Sequence, residues 1–206
     1  MQDYQFIAPF YDILLGPFMR SVRRDVLRTV LELQPENVLD VACGTGDQLR
    51  LLTENSIDAV GVDMSEAMLK ICRKANPASD CLLQDATKMA FQNERFALAM
   101  ISFALHETGW ETAASILEEI HRVLKPSGHL LVVDYSDFQQ TPFYVKQTIR
   151  MIEFLAGKRH FRNFRTYHLE GGLATLVNKN KFRVVVSTCH ASCSIVIRLF
   201  QRIDMT

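Results

Sequence analysis

Apolar residues in the first part of the chain follow two alternating spacings, one typical of helices and one of strands. Between Ser21 and Leu33 they recur every three or four residues, which predicts an amphipathic helix that ends before Pro35. The segments that follow alternate between short apolar strands and amphipathic helices. These are the strands 37–41 and 58–63 and the helices 47–54 and 66–75. Ser65 is the predicted N-cap of the last of these helices.

The same alternation continues as far as Tyr135. It predicts the strands 81–85, 96–103 and 129–135 and the helix 111–124. The later strands are almost continuously apolar, and such runs are typical of parallel strands that are covered on both faces. A turn at "KPSG", where Gly128 tolerates a positive φ, precedes the strand 129–135. The pattern therefore predicts a parallel sheet between two layers of helices.

Beyond Tyr135 the pattern changes. It predicts a helix over 143–156, a basic and aromatic run at 158–165, a helix around 169–177, and two further apolar strands at 182–190 and 192–200. Too few residues join these last two strands for a crossover helix, so we expect an antiparallel hairpin. The predicted fold is α/β, a doubly wound, mostly parallel seven-stranded sheet with a C-terminal antiparallel hairpin, in a single domain.

Composition narrows the class of protein. The chain has 206 residues, of which 48% are hydrophobic, enough for one sizeable core. Basic and acidic residues number 23 each, so no overall field favours nucleic acid, and peripheral membrane contact is not favoured either. We find no signal peptide and no apolar run of about 18 residues that would span a membrane.

The cysteines are five in number and scattered, with no C-x-x-C pair. This spacing predicts neither a disulfide framework nor a zinc site, and we expect no metal site. A reducing compartment follows, and the default expectation is a cytoplasmic protein.

A loop of small residues follows the first strand, in the stretch "VLDVACGTGD". Gly44 and Gly46 allow a tight turn and let backbone N–H groups approach a ligand at the positive end of the next helix. Taken alone this is weak evidence, because two glycines can also serve only to dock that helix.

Three acids end successive predicted strands at the same edge of the sheet: Asp40, Asp63 and Asp85. Asp63 lies about 20 residues beyond the loop, where a carboxylate can accept both hydroxyls of a ribose. Three carboxylates at a half-buried edge favour a ligand with many hydrogen-bond donors. For each acid separately, capping of the following helix remains the alternative.

The loop departs from a dinucleotide site, because the third glycine of G-x-G-x-x-G is replaced by Leu49. Asp40 would also repel a pyrophosphate and attract an ammonium group. A cationic ligand is therefore favoured. An NAD(P)-dependent oxidoreductase is the main alternative, and a non-catalytic cofactor-binding module is the other.

Four ordered motifs resemble the class I S-adenosylmethionine-dependent methyltransferases of the ubiquinone/menaquinone-biosynthesis type, the methyltransferase type 11 group. They are "VLDVACGTG", "VGVDMSEAML", "LLQDATKMAF" and "EEIHRVLKPSGHLLVVDYS", and the resemblance runs from about Ile7 to the hairpin. One departure is Ala42, where many members carry glycine. The resemblance implies a Rossmann-like methyltransferase fold, S-adenosylmethionine as cofactor, S-adenosylhomocysteine as product, and a small-molecule acceptor with an O, C or N nucleophile.

The resemblance also implies a division of the chain and a set of contacts with the cofactor. The divisions are N-terminal cap helices at 1–34, a cofactor-binding core at 35–136, lid helices at 137–180 and the hairpin at 181–206. The methionine portion would face Asp40, Ala42, Gly44 and Gly46, with Phe103 near its tail. The remaining contacts would come from Asp63 to the ribose, Met64 to the adenine face, and Asp85 and Ala86 to the adenine edge. For Met64 the alternative is core packing.

Two catalytic candidates follow. His106 comes after the fourth strand, and we expect it to stand at the acceptor pocket with a near-neutral pKa as a general base, or else to be structural. Tyr11 resembles a tyrosine that folds over the cofactor in this family, or it forms a hydrophobic staple. Asp134, Tyr135 and His190 are weaker candidates.

Two basic stretches lie in segments that would cover the acceptor. They contain Arg20, Arg23, Arg24, Arg159, Arg162 and Arg165. Convergence of these arginines would suit an anionic acceptor, but a solvated surface is the favoured interpretation. Phe161 and Phe164 are expected to pack within the lid.

Overall fold

The computed structural model describes the backbone of residues 4–178 and 181–203 and the side chains of residues 19–177 and 181–203. Its helices are α1 (Tyr4–Leu33), α2 (Asp47–Glu54), α3 (Glu66–Ala75), α4 (Trp110–Val123), α5 (Phe143–Leu155), α6 (Lys158–Leu169) and α7 (Gly172–Asn178). Its strands are β1 (Val38–Val41), β2 (Ala59–Asp63), β3 (Asp80–Leu83), β4 (Phe96–Ser102), β5 (Leu124–Tyr135), β6 (Phe182–His190) and β7 (Ile195–Arg202).

All seven strands form one sheet in the order β3-β2-β1-β4-β5-β7-β6. Strands β1 to β5 are parallel to one another, whereas β7 runs antiparallel to both β5 and β6. The predicted doubly wound sheet with its antiparallel hairpin is confirmed. The chain reverses its direction of winding between β1 and β4, and this switch point places the carboxyl ends of both strands beside one crevice.

The apolar strands bury side chains on both faces of the sheet. Ala99 and Ile101 of β4 join a cluster with Leu117 of α4, on one face. Leu98 and Met100 of the same strand join the opposite cluster, which contains the α1 and α5 side chains Val22, Val26, Val30 and Ile149. The near-continuous apolar sequence of β4 is therefore explained by two helical layers, one packed on each face.

Several elements differ from their predicted extent. Helix α1 extends back to Tyr4, and the basic run after residue 157 is the helix α6. Strand β3 ends at Leu83, so Asp85 lies two residues beyond it. In the "KPSG" segment the positive φ falls on Ser127, at 59°. Gly128 is needed for a different reason, because a Cβ there would lie 2.8 Å from the carbonyl oxygen of Lys125.

The expectation that the cysteines form no disulfide is wrong at one pair. Cys72 of α3 and Cys81 of β3 are joined by a disulfide, nine residues apart in sequence. The two side chains meet because α3 packs against β3, which their spacing in the sequence does not reveal. Cys43, Cys189 and Cys193 are free thiols.

No helix among the described residues is both long enough and apolar enough to cross a membrane.

Candidate active site

A cavity of about 630 Å³ opens at the carboxyl ends of β1, β4 and β5, at the switch point of the sheet. Its apolar wall comes from α1, the tips of β4, β5 and β7, and α5. This wall includes Val22, Val26, Phe103, Val133, Tyr144, Val145, Ile149, Ile152 and Ile195. Its polar wall includes Arg23, Asp40, Gly44, Asp47, His106, Glu107, Glu153 and His160. Of the predicted site residues, Asp40, Ala42, Gly44, Phe103 and His106 line this one cavity.

The loop after β1 leaves room on its cavity side. Ala42 and Gly44 both adopt a positive φ, at 57° and 55°. A Cβ added to Gly44 would meet no atom within 4 Å, so the backbone there faces open space. The Gly44 N–H donates to Oδ2 of Asp63 at 2.9 Å, which ties this loop to the end of β2. The loop can therefore bring its backbone against a ligand.

Gly46 has a packing role and does not line the cavity. Its φ is 77°, and a Cβ at this position would lie 2.4 Å from Sγ of Cys72 and 2.8 Å from Nδ2 of Asn76. Asn76 also donates to the Gly46 carbonyl oxygen at 3.1 Å. The missing side chain thus lets the start of α2 approach the end of α3.

Asp40 is buried at the base of the loop, with 3% of its surface exposed. Burial and the neighbouring Asp63 raise the pKa of Asp40 to about 7, although Arg23 opposes this rise. Arg23 itself is paired with Asp47 at 2.9 Å. A cation placed beside Asp40 would therefore favour the ionised carboxylate.

The other predicted cofactor contacts lie outside the cavity wall, at the adjacent ends of β2 and β3. Asp63 accepts from the Ser65 N–H at 2.8 Å in addition to Gly44. Asp85 accepts from the N–H and hydroxyl of Thr87, and these bonds lower its pKa. The side chain of Met64 is 63% exposed, so core packing is not its role. Ala86 packs partly buried against the core.

His106 is buried, and a neighbouring carboxylate holds its ring. Its Nδ1 lies 2.6 Å from Oδ1 of Asp134, and its Nε2 lies 3.9 Å from Oε2 of Glu153. Burial lowers the pKa of His106, but Asp134, Glu153 and Glu107 outweigh burial and raise it to about 9. This pKa is higher than the near-neutral value that we predicted for His106.

Two residues near His106 were missed in the sequence. Glu153 of α5 is buried, accepts from the Tyr135 hydroxyl at 2.7 Å, and is hydrogen-bonded to Nε2 of His160 on α6. The signal for Glu153 was available, because it lies four residues after the buried Ile149 on the same face of α5. His160 carried no such signal, since it lies within a basic run.

Of the remaining candidates, Tyr135 lines the cavity, whereas most of the others do not. Of the six arginines only Arg23 lines it, and the other five are exposed. His190 lies 3.7 Å from Asp25, away from the cavity wall. The side chain of Tyr11 lies outside the described residues. Phe161 and Phe164 pack in the apolar layer beside α1.

Residues 38–128 match the family model described as a methyltransferase domain. This match covers β1 through the "KPSG" segment, and so includes the loop with Asp40 and Gly44.

Curated relatives extend the match beyond that domain. The demethylmenaquinone methyltransferase of Renibacterium salmoninarum is 33% identical over 159 residues, covering 74% of this chain and 66% of the relative. The enzyme of the same name from Thermus thermophilus is 32% identical over 166 residues, covering 73% of this chain and 74% of the relative. The chain spans between 52% and 66% of the length of three such relatives.

Solved structures share the fold at low sequence identity. A protein of Pyrococcus horikoshii OT3 superposes with a TM-score of 0.75 at 17% identity, covering 98% of this chain and 99% of that one. The N-methyltransferase NodS of Bradyrhizobium japonicum, solved with S-adenosyl-L-homocysteine, gives a TM-score of 0.66 at 16% identity, covering 91% and 89%.

Proposed function

Because this chain belongs to the class I S-adenosylmethionine-dependent methyltransferases of the menaquinone and ubiquinone type, we propose that it transfers a methyl group from S-adenosylmethionine to an apolar small-molecule acceptor. The observation that carries the proposal is a single cavity whose wall contains both the Asp40–Gly44 loop and a large apolar surface. The nicotinamide-dependent alternative finds no support in the family match or in the relatives.

The residues of the loop fit the chemistry of this cofactor. Asp40 and Asp47 present carboxylates, which suit the ammonium group of the methionine portion. Gly44 has open space where a side chain would stand, so its backbone can be approached closely. When bound, S-adenosylmethionine supplies a methyl group on a positively charged sulfur, which is already activated for transfer.

We assign the remaining cofactor contacts to the ends of β2 and β3. Asp63, Met64, Asp85 and Ala86 would hold the nucleoside, while Ala42 and Phe103 would border the methionine portion. Asp63 is held in place by two backbone N–H groups. Its carboxylate oxygens have further lone pairs for the ribose hydroxyls.

The acceptor that suits this cavity is an apolar ring compound. Valine, isoleucine and aromatic side chains form a large apolar part of the wall, and among the described side chains Arg23 is the one arginine that lines it. An anionic acceptor is not favoured by that wall. The relatives are named demethylmenaquinone methyltransferases, and a quinone of this class, in its reduced hydroxylated form, is the acceptor we propose.

The chain contributes to transfer by binding and alignment. The apolar wall of α1, α5 and β5 excludes water and holds the acceptor ring, and alignment of this kind can supply about 7–11 kcal/mol of the barrier.

Calorimetric titration with S-adenosylhomocysteine tests the proposal. We expect one molecule to bind per chain, binding to be lost in Asp63→Ala, and binding to persist in the control Asp80→Asn at the far end of β3. NADH should give no heat. Absence of heat with S-adenosylhomocysteine in the wild type would refute the assignment.

Methyl transfer is tested separately with reduced demethylmenaquinone, a carboxylic acid and an amine of similar size. We expect a mass gain of one methyl group on the quinone alone. Cofactor binding without transfer to any acceptor would indicate a non-catalytic module.

A further inference from the structure

Two histidines and a glutamate form a compact group in the wall of the cavity. His106, Glu153 and His160 each offer one ligand atom, and these three atoms all lie within 4.8 Å of one another. The residues come from three separate segments: the loop after β4, helix α5 and helix α6. His106 and Glu153 are buried, and all three line the cavity. The fold therefore brings them together around a space that a ligand can reach.

Two of the three side chains are hydrogen-bonded to a further polar group, and a carboxylate lies near the third. Asp134 lies 2.6 Å from Nδ1 of His106, which leaves Nε2 directed at the group. The Tyr135 hydroxyl donates to Oε1 of Glu153 at 2.7 Å, which leaves Oε2 for the group. Glu107 lies 3.6 Å from Nδ1 of His160. Carboxylates and hydroxyls in such positions are typical supports of metal ligands, because they fix the ring orientation and raise ligand basicity.

The charges around this group also favour a cation. Three carboxylates, those of Asp134, Glu153 and Glu107, surround two imidazoles in a largely buried space. Buried carboxylates need positive charge nearby to offset the cost of their burial. Protons on both histidines would supply two positive charges. One divalent cation bound to the two neutral rings would supply the same charge.

We propose that His106, Glu153 and His160 form a binding site for a divalent first-row transition metal, with Zn²⁺ as the ion that their donor set fits best. Two imidazole nitrogens and one carboxylate oxygen are a recurrent set for catalytic zinc and exclude Mg²⁺ or Ca²⁺ as the preferred ion. Zinc bonds of about 2.0–2.2 Å place tetrahedral ligands about 3.4 Å apart, so small side-chain movements suffice. This proposal departs from the expectation of no metal site.

Three protein ligands leave a fourth position open towards the cavity. If the proposed function holds, an oxygen of the acceptor would occupy this position, where the metal would polarise it. Metal binding itself does not depend on methyl transfer or on the cofactor, so it can be tested independently.

Titration of chelator-treated protein with Zn²⁺ tests the site. We expect one ion per chain and a rise in the thermal midpoint of the wild type. Glu153→Gln keeps the size of the side chain. As single substitutions, Glu153→Gln and His160→Asn should each weaken Zn²⁺ affinity at least about 100-fold, whereas Asp134→Asn should weaken it about 10- to 100-fold. His121→Asn changes a histidine that lies outside the cavity wall, against the Ile203 carbonyl oxygen and the Phe182 ring, and this variant should bind Zn²⁺ as the wild type does.

Free thiols are the main competing ligands, and Co²⁺ distinguishes them. We expect the absorption spectrum of the Co²⁺-bound protein to lack a sulfur-to-metal charge-transfer band. The variant in which Cys189 and Cys193 are changed to serine should bind Co²⁺ with the same spectrum. This spectrum decides the question even if a ligand variant does not fold. No Zn²⁺ binding, undiminished binding in both Glu153→Gln and His160→Asn, or a thiolate band would overturn the site. S-adenosylhomocysteine binding is measured on the same samples, so that a failure of the proposed function can be distinguished from a failure of the metal site.

Discussion

Asp40 is the single residue whose ionisation most affects the proposed chemistry. It is almost fully buried in the structure, and its pKa is raised to about 7 by burial and by Asp63. In the unfolded chain the same carboxyl group titrates near about 4. Between these values the folded protein holds a proton that the unfolded chain has released, so the contribution of Asp40 to stability falls as the pH rises from about 4 to about 7.

Cofactor binding should show the opposite dependence on pH. A bound ammonium group favours the ionised form of Asp40, so we expect affinity for S-adenosylhomocysteine to increase as the pH rises to about 7 and to level off above that value. Asp40→Asn should bind more weakly and lose this dependence. Calorimetry at several pH values measures it, with Asp80→Asn as the control. A pH profile that Asp40→Asn leaves intact would contradict the assignment.

The two glycines of the loop should respond differently to alanine. Gly46→Ala places a methyl group against Cys72 and Asn76, so we expect a loss of about 1–3 kcal/mol from overpacking in addition to backbone strain. Gly44→Ala meets no neighbour and should cost only about 1 kcal/mol from its positive φ. Chemical denaturation compares them. Equal losses would show that Gly46 is not packed as described.

The effects of Gly44→Ala and Gly46→Ala on cofactor affinity should have the opposite order to their effects on stability. Gly44→Ala fills space on the cavity side of the loop, so it should weaken S-adenosylhomocysteine binding more than Gly46→Ala does, provided that both proteins are measured while folded.

At the level of elements, the apolar runs of β1, β2 and β4 and the capped helix α3 were predictable because local spacing determines them. Helix α6 was not, since its basic residues hide the buried Phe164 and Tyr167. The start of β5 was not predictable either, because this segment contains Pro126 and a positive φ at Ser127. These elements take their form from tertiary contacts.

Arg122 of α4 joins that helix to the segment between β3 and β4. Its guanidinium donates to the carbonyl oxygens of Met89 and Phe91, to Asn93 and to both carboxylate oxygens of Glu119. Lysine cannot reproduce this set of donors. We therefore expect Arg122→Lys to lower the free energy of unfolding by about 2 kcal/mol.

A matched substitution checks this expectation. Arg28 forms an exposed pair with Asp25 one helical turn away, so Arg28→Lys should change stability by less than about 0.5 kcal/mol. Urea denaturation of both variants measures the difference. Similar effects at the two positions would mean that the Arg122 contacts contribute little.

At the scale of the whole molecule, the sheet order and the switch point follow from the alternation of strands and helices, and with them the place of the loop. The group around His106 does not follow. Its members lie on β5, α5, α6 and the loop after β4, and the sequence contains no spacing that relates them. Prediction from one sequence therefore located the ends of the strands but not the side chains that meet across the helical layer.

Cofactor binding should stabilise only part of this molecule. We expect S-adenosylhomocysteine to slow amide hydrogen exchange at least about tenfold in residues 40–48, which form the loop and the start of α2. Residues 184–190 of β6 lie outside the cavity wall and should exchange at unchanged rates. Exchange measured by mass spectrometry with and without ligand checks this. Uniform protection across both segments would argue against a local site.

The cavity wall draws on distant parts of the chain, since Met19 and Val22 of α1 face it together with Ala191 and Ile195 of the hairpin. During translation, a chain that has emerged from the ribosome only as far as α7 lacks one side of this enclosure. The nascent protein can therefore acquire its finished pocket only after the hairpin has left the exit tunnel.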